Sequence, residues 1–183
     1  FCTLLGAGLA SAGSAALNNY IDRDIDFIMK RTRRRPLPSG AVAPVNVLFF
    51  GLAFSFLSVF ITWLYVNMTT AVLIASAILI YVVAYSLLSK RRTPFATFIG
   101  GAGGALPPVI GYSAVKPELD VYALALFMII FAWQHPHFWS LALKYMNEYK
   151  AADVRNLPVV SGVNETKKQI TLWAGVMALV SLA

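Results

Sequence analysis

Hydrophobic positions along the chain fall into six long blocks separated by polar and mostly basic connections. The blocks cover residues 1–17, 45–66, 69–88, 95–115, 121–143 and 170–183. Most approach the roughly 20 apolar residues that a helix needs to cross a hydrocarbon core about 30 Å thick. They lack the period-two alternation of a membrane β-strand, and a helix satisfies its own backbone hydrogen bonds in lipid. The pattern predicts an all-α, polytopic transmembrane helix bundle.

Composition agrees with a bilayer environment. Hydrophobic residues make up 58% of the chain and charged residues 13%, whereas about a quarter of a soluble domain is charged. The single Cys2 excludes an intrachain disulfide, and the two histidines are not spaced as in a zinc site. We therefore expect helix packing to hold the fold, aided by the many small residues between positions 6 and 16.

Both ends of the chain lie inside apolar blocks, and the first residue is Phe1 rather than Met. We expect residues 1–183 to be one membrane domain that is truncated at both ends.

The basic residues predict the orientation of the bundle. The connections 18–44, 89–94 and 144–169 hold fourteen of the fifteen Lys and Arg residues, and the two connections between them hold only Lys116. The positive-inside rule places the three basic connections on the cytoplasmic side. Attraction to anionic lipid explains such a face, so the net charge of +7 does not indicate a nucleic-acid partner. Two of these connections are long for a helix bundle, which favours a site on this face.

One amide and two carboxylate side chains recur every four positions where the first block meets the cytoplasm; we call them the acidic triad. Asn18, Asp22 and Asp26 would lie on one helix face, within about 80° of one another and over about 12 Å. Stacked carboxylates repel each other, and a Mg²⁺ ion bridging them to a diphosphate would offset that repulsion. Asp24 lies on the opposite face, where we expect it to pair with an arginine or with solvent. The alternative is a solvated acidic turn that the following arginines neutralise.

A cationic run follows the acidic segment. Its five cations within six residues are Lys30, Arg31, Arg33, Arg34 and Arg35. Beside the carboxylates they could close over a polyanion such as a diphosphate or a dicarboxylate tail. The alternative is a role in membrane orientation and lipid contact. Pro36 and Pro38 bar regular helix and predict a loop over the inner mouth of the bundle.

The third basic connection repeats the four-residue step with Tyr145, Tyr149 and Asp153. A helix there would present two phenols and a carboxylate on one face, opposite the first acidic segment. That face could bind the far side of a diphosphate or a second ion. The alternative is an ordinary amphipathic surface helix.

Both histidines of the chain stand near the inner end of the fifth block. His135 and His137 flank Pro136, with Trp133 and Trp139 on either side. Intramembrane polar residues of this kind favour contact with a flat aromatic ligand or an iron, but a histidine hydrogen-bonded inside the bundle is as good an explanation for one of them. In the fourth block, Gly100 and Gly104 predict close packing followed by a kink at the paired prolines.

At these residues the chain resembles the UbiA-type intramembrane prenyltransferases and, among them, the heme O synthases. The segments that carry the resemblance are 18–26, 30–40, 90–94, 100–111 and 136–139. The arginine-rich run and the Pro-His-Phe-Trp segment are typical of the heme O synthases. Families of this kind have about nine transmembrane helices, of which this chain would hold about six.

The resemblance implies an activity and a site. Farnesyl diphosphate would donate its farnesyl group to a vinyl group of heme b (protoheme IX), and water addition would give heme O and diphosphate. Asn18, Asp22 and Asp26 would bind Mg²⁺, with Asp22, Asp26, Lys30 and Arg34 acting in catalysis. Substrate contacts would come from Arg31, Arg33, Arg35, His135, His137, Tyr145, Tyr149 and Asp153.

The resemblance also implies a bacterial inner membrane location with the site facing the cytoplasm, or the mitochondrial inner membrane in a eukaryote. A heme A synthase is a possible partner. Two other functions stay open. One is a prenyltransferase of the same type with a quinone or chlorophyll-type acceptor. The other is a membrane transporter or scaffold without enzymatic activity, which would need no acidic triad and would place its polar residues near the bilayer midplane.

Overall fold

The computed structural model describes residues 1–182 and is built of helices, with a connection of fifteen residues (29–43) between the second and third of them. Within that range there is no β-strand, which confirms the all-α prediction. The elements are α1 (Cys2–Ile21), α2 (Arg23–Ile28), α3 (Pro44–Tyr65), α4 (Met68–Leu79), which continues as a π-helix (Ile80–Ser89), α5 (Ala96–Gly104), α6 (Leu106–Ser113), α7 (Val121–Lys144), α8 (Met146–Ala151) and α9 (Leu157–Leu182).

Three helical stretches are long and apolar enough to cross a membrane: Pro44–Tyr65, Met68–Ser89 and Val121–Lys144. The other predicted spans differ for identifiable reasons. The small and amide residues of α1 lower its hydropathy. The last block, 170–183, is shorter than a full span, and the charged residues Glu165, Lys167 and Lys168 precede it in α9.

The fourth predicted block divides into two short helices. α5 ends at Gly104, and α6 begins with Leu106 and has prolines in its first turn. This division is the kink that the glycine and proline pattern predicts, since proline lacks the N–H that would continue the preceding helix.

Small residues bring α1 and α3 into close contact. A Cβ atom added to Gly13 would lie 2.6 Å from Ser55 Oγ and 3.0 Å from the carbonyl oxygen of Gly51. Ser58 Oγ donates a 2.8 Å hydrogen bond to the carbonyl oxygen of Gly6. The predicted packing role is therefore confirmed for Gly6 and Gly13, whereas a Cβ atom added to Gly8 would meet nothing within 4 Å.

A small apolar cluster joins the first and third basic connections. Ile25 and Met29 pack against Ala152 and Val154, with the partly buried Tyr149 beside them. The cluster fixes α2 and the α8 segment at the same end of the bundle. The acidic segment and the end of α8 thus face one another, as the sequence predicts.

Candidate active site

The acidic triad lies at the junction of α1 and α2. The helix changes direction at Asp22, but the backbone N–H of Asp22 still donates to the Asn18 carbonyl (2.9 Å), and that of Asp26 donates to the Asp22 carbonyl (2.8 Å). The four-residue spacing therefore survives the junction. Asn18, Asp22 and Asp26 are all buried, with exposed fractions of 8%, 1% and 4%.

Each triad carboxylate has a cationic partner. Asp22 Oδ2 accepts hydrogen bonds from Asn18 Nδ2 (3.0 Å) and from Lys90 Nζ. Asp26 Oδ2 accepts one from an Arg35 guanidinium nitrogen at 2.7 Å. Two carboxylates this deeply buried would be strongly destabilising without such partners.

Asp22 Oδ1 is the exception within this network. It is buried and has no hydrogen-bond partner, and the Arg91 guanidinium is 3.8 Å away. A buried carboxylate oxygen without a partner is costly unless a ligand satisfies it. This oxygen of Asp22 is therefore available to accept a hydrogen bond or to ligate a cation.

Asp24 stands outside the triad and is exposed. Both of its oxygens accept hydrogen bonds from Arg91, each at 2.6 Å, which confirms the expected arginine pairing. The Arg91 hydrogen bonds lower the pKa of Asp24 below its ordinary value, and the same bonds raise the pKa of Arg91.

The donor set of the triad fits a hard divalent cation. Over residues 1–182 no three His, Cys, Asp or Glu side chains come together as a metal site, so the third donor would be the amide oxygen of Asn18. Carboxylate and amide oxygens are ligands that Mg²⁺ accepts, with water and phosphate oxygens completing its shell. Binding there would displace Lys90 and Arg35 at least in part. The assignment of these residues to a metal stays a prediction.

The structure distributes the cationic run over two environments. Arg35 bonds to Asp26 and to Asn19 Oδ1 (3.0 Å), and the Arg31 guanidinium lies 5.2 Å from the ring centre of Tyr145. The Arg31 backbone N–H donates to Glu148 (3.2 Å), so this loop touches α8. The other three members, Lys30, Arg33 and Arg34, are exposed, and their roles stay predictions.

The prediction that Tyr145, Tyr149 and Asp153 share one helix face is wrong for Asp153. α8 ends at Ala151, and Asp153 has a φ of 51° and is exposed. The chain therefore turns before a third helical step, and Asp153 does not share a helix face with Tyr145 and Tyr149. Tyr149 lines the cavity described next.

A cavity of about 240 Å³ opens beside the triad. Lys90, Tyr149 and Asn156 give it a polar end, and Gly100, Gly101 and Gly104 form a wall along α5. Its other lining residues are Tyr81, Tyr85, Pro94, Ala96, Thr97, Gln134, Phe138, Leu141, Ala142 and Val154. A charged mouth and an apolar body suit an amphiphile with a phosphate head and a hydrocarbon tail.

Sequence reasoning missed three residues of this site. The sequence places Lys90 in a basic connection and in a segment that carries the family resemblance, but it predicts no site role for this residue, which bridges Asp22 and the cavity. Tyr85 and Gln134 also line the cavity, and each fills the space left by a glycine of α5. The polar residue Gln134 inside an apolar block is the one signal that could have indicated a site residue.

The two histidines lie outside the cavity lining. His135 is fully buried, stacks on Trp173 (4.0 Å between ring centres) and has Nδ1 2.7 Å from the Phe131 carbonyl. His137 is exposed and stacks on Trp133 (4.7 Å). The hydrogen bond of Nδ1 and the ring stacking place His135 in the packed interior, but its Nε2 is buried without a hydrogen-bond partner. Contact with a ligand therefore stays a prediction for both histidines.

Comparison with known proteins identifies the family. Residues 1–183 match the UbiA prenyltransferase family. The chain belongs to the UbiA prenyltransferase family. This UbiA chain is similar to protoheme IX farnesyltransferases of Aquifex aeolicus (51% identity, 100% of this chain) and Neorickettsia sennetsu (47%, 100%). It spans 62% and 59% of the length of those relatives.

Solved structures give the same fold. A UbiA homologue from Archaeoglobus fulgidus bound to DMAPP and Mg²⁺ matches 98% of this chain with a TM-score of 0.79 and 20% identity. The same homologue bound to GPP and Mg²⁺ matches equally well. In each case the match covers 63% of the solved chain, and it confirms the expected UbiA fold.

Proposed function

We propose that the protein transfers the farnesyl group of farnesyl diphosphate to a vinyl group of heme b, giving heme O. The observation that carries the proposal is the buried Asp22, whose unpartnered oxygen lies in an acidic triad beside a cavity with a cationic mouth. The names of the relatives at 51% and 47% identity, which match the full chain, support the choice of substrates.

The diphosphate would lie at the polar end of the cavity. Asn18, Asp22 and Asp26 would hold Mg²⁺, which when bound would neutralise charge on the diphosphate oxygens. Lys90 already lies between Asp22 and the cavity, so it can release the carboxylate and pair with a phosphate oxygen. Lys30 and Arg34 are exposed at the same face and would add positive charge as the diphosphate leaves. The UbiA homologue solved with DMAPP or GPP and Mg²⁺ supports this donor class.

The prenyl chain would extend along the glycine wall of α5. The aromatic rings of Tyr81, Tyr85 and Phe138 line this part of the cavity. The faces of these rings are electron-rich and would stabilise an allylic cation by cation–π interactions. We expect these aromatic walls to stabilise the cation until the acceptor arrives.

The proposed reaction balances with water as the third reactant. The bond between C1 of farnesyl and the diphosphate oxygen breaks, and diphosphate leaves with the electron pair. The vinyl π electrons of heme b form the new carbon–carbon bond. Water then adds to the resulting cation and loses a proton, which leaves a hydroxyethylfarnesyl side chain. Arg31, Arg33 and Arg35 are candidates for the heme propionates.

We also propose the site's location and a partner. The basic connections would face the cytoplasm, with the bundle in a bacterial inner membrane or, in a eukaryote, the mitochondrial inner membrane. A docking contact with a heme A synthase is a further prediction, which co-purification from native membranes would test.

The test uses the full-length protein in membranes with heme b, farnesyl diphosphate and Mg²⁺. We expect a heme heavier by one farnesyl group and one water, which disappears with EDTA and in Asp22→Ala. Asp24→Ala is the matched control, because Asp24 belongs to the same segment but pairs with Arg91 outside the triad. Unmodified heme together with a prenylated quinone would refute the heme substrate and keep the prenyltransferase. No prenylated product at all would favour a transporter or scaffold.

A further inference from the structure

The helix that contributes Lys90 ends in a π-helix. The backbone N–H of Lys90 donates to the carbonyl of Tyr85, five residues earlier, at 2.8 Å. Two serine hydroxyls follow the same spacing: Ser86 donates to the Tyr81 carbonyl (2.8 Å) and Ser89 to the Ala84 carbonyl (2.5 Å). π-Helical turns are rare and frequently occur at functional sites. Here the turn brings one of the two serines to the acidic triad.

Ser86 contacts Asn18 across the helix interface. Asn18 Nδ2 lies 2.9 Å from Ser86 Oγ, and the Ser86 side chain is buried with 1% of it exposed. A hydroxyl has one hydrogen to donate and lone pairs to accept with. Because the Ser86 hydrogen is used on the Tyr81 carbonyl, only a lone pair faces Asn18.

Two acceptors therefore determine which way the Asn18 amide points. Ser86 Oγ and Asp22 Oδ2 both require a donor, and the Nδ2 group supplies one hydrogen to each. The orientation of an amide is decided by such partners, because nitrogen and oxygen differ little in shape. With Nδ2 committed twice, Oδ1 is the atom left for a cation.

We propose that Ser86 is a positioning residue that holds the Asn18 amide with its oxygen available for the metal ion. This inference rests on the proposed metal site but not on the identity of the prenyl acceptor. Without the Ser86 hydroxyl the Asn18 amide is free to rotate. Metal binding must then order this side chain, which lowers the affinity for the metal ion. The expected effect is on metal affinity more than on the chemical step.

The experiment measures Mn²⁺ binding by electron paramagnetic resonance on full-length protein in nanodiscs, without turnover. Ser86→Ala should weaken Mn²⁺ about five- to tenfold, the range expected for one lost hydrogen bond. In activity assays the Mg²⁺ concentration for half-maximal rate should rise by the same factor, with kcat at saturating Mg²⁺ near wild type. Ser86→Thr retains the hydroxyl and should restore affinity.

Ser89→Ala is the matched control. Ser89 lies in the same π-helix and makes the same five-residue hydrogen bond, but it bonds to Ala84 and not to Asn18. It should bind Mn²⁺ like the wild type. Equal weakening in both alanine variants would show that the serines act only through the π-helix, which overturns the proposal. Unchanged Mn²⁺ affinity in Ser86→Ala would also overturn it.

A second variant covers the case in which Ser86→Ala does not fold. Ser86→Cys keeps the size of the side chain but offers only a weak acceptor, so its Mn²⁺ affinity should also fall. Wild-type affinity in Ser86→Cys would contradict the proposal. Mn²⁺ binding that depends on Ser86 without heme farnesylation would refute the proposed function and leave this inference standing.

Discussion

Arg91 holds both carboxylate oxygens of Asp24, with nitrogen–oxygen distances of 2.6 Å on each side. The same guanidinium donates to the Ile21 carbonyl at 2.7 Å, at the end of α1. Arg91 thus ties the connection that follows the π-helix to the acidic segment. It also engages the one aspartate of that segment that does not belong to the triad.

The Asp24–Arg91 pair predicts a pH dependence of stability. Its hydrogen bonds lower the pKa of Asp24 from the ordinary 3.8, so the ionised pair stabilises the fold fully above that pH. The contribution is lost as pH falls through the lowered pKa. The Asp24 side chain is 62% exposed, so solvent screening limits the effect to about 0.5 kcal/mol.

The measurement is thermal unfolding of wild type and Asp24→Asn in detergent between pH 3 and pH 7. The difference in Tm should be constant at neutral pH and shrink below the ordinary aspartate pKa of 3.8. The difference should also shrink in 1 M NaCl. A difference that grows as the pH falls would contradict the assignment.

Lys90 should matter more than any other cation of its connection. Lys90→Met leaves Asp22 buried without its cation and removes a positive charge from the cavity mouth. We expect kcat/KM for the prenyl diphosphate to fall about 10²- to 10³-fold, as when an electrostatic donor is removed from an active site. Arg92→Met, an exposed position two residues further, is the control and should stay near wild type. Equal losses in both variants would indicate a general effect of charge.

The triad could be predicted from sequence because its spacing depends only on local backbone geometry. Asn18, Asp22 and Asp26 keep their common face since the helical hydrogen bonds continue through the bend at Asp22. The sequence predicts that Asp24 pairs with an arginine or with solvent. That the partner is Arg91 could not be predicted, because it depends on how the connection 89–94 packs against the acidic segment. The overall fold followed from apolar block lengths, which determine helices wherever lipid is the solvent.

The role of Lys90 could not be predicted for a physical reason. An α-helical register would set Lys90 and Tyr85 on different faces, whereas the π-helix aligns residues five apart. No propensity rule signals a π-helix, since it results from tertiary packing. Asp153 was mispredicted for a related reason. The four-residue pattern continues to Asp153 in the sequence, but the helix ends at Ala151, and the pattern alone does not show where a helix ends.

Gly104 should not tolerate a side chain. A Cβ there would lie 2.9 Å from Gln134 Cδ, and Gln134 Nε2 donates to the Gly101 carbonyl at 3.0 Å. Gly104→Ala should therefore destabilise the protein by about 1–3 kcal/mol, as overpacking does, and slow turnover by displacing Gln134 into the cavity. Gly111→Ala meets nothing within 4 Å and is the control. Tm and kcat of both variants in detergent test this; an unchanged Gly104→Ala would be inconsistent with the packing.

We expect substitutions of the two histidines to have different effects, one on stability and the other on binding of the acceptor. His135 is fully buried among Phe98, Trp139 and Trp173, so His135→Ala should leave a cavity and cost about 2–4 kcal/mol. His137 is exposed, and His137→Ala should change stability by less than about 0.5 kcal/mol.

The same two variants test ligand contact. If His137 touches the heme, His137→Ala raises the KM for heme b at unchanged Tm. A His137→Ala variant with both values unchanged would remove His137 from the acceptor site. Comparing Tm and KM for each variant separates a packing role from a binding role.

Metal and prenyl diphosphate together should stabilise the protein through the triad. Lys90 and Arg35 already neutralise Asp22 and Asp26, so EDTA alone should lower Tm little. Mg²⁺ with an unreactive farnesyl thiodiphosphate at 100 times its Kd should add about 2.7 kcal/mol, because it binds only the folded state. Asp22→Asn removes the carboxylate with the unpartnered oxygen and should abolish this gain, whereas Asp24→Asn should retain it. A full gain in Asp22→Asn would mean that the ligand binds elsewhere, since Asp22 is the most deeply buried member of the triad.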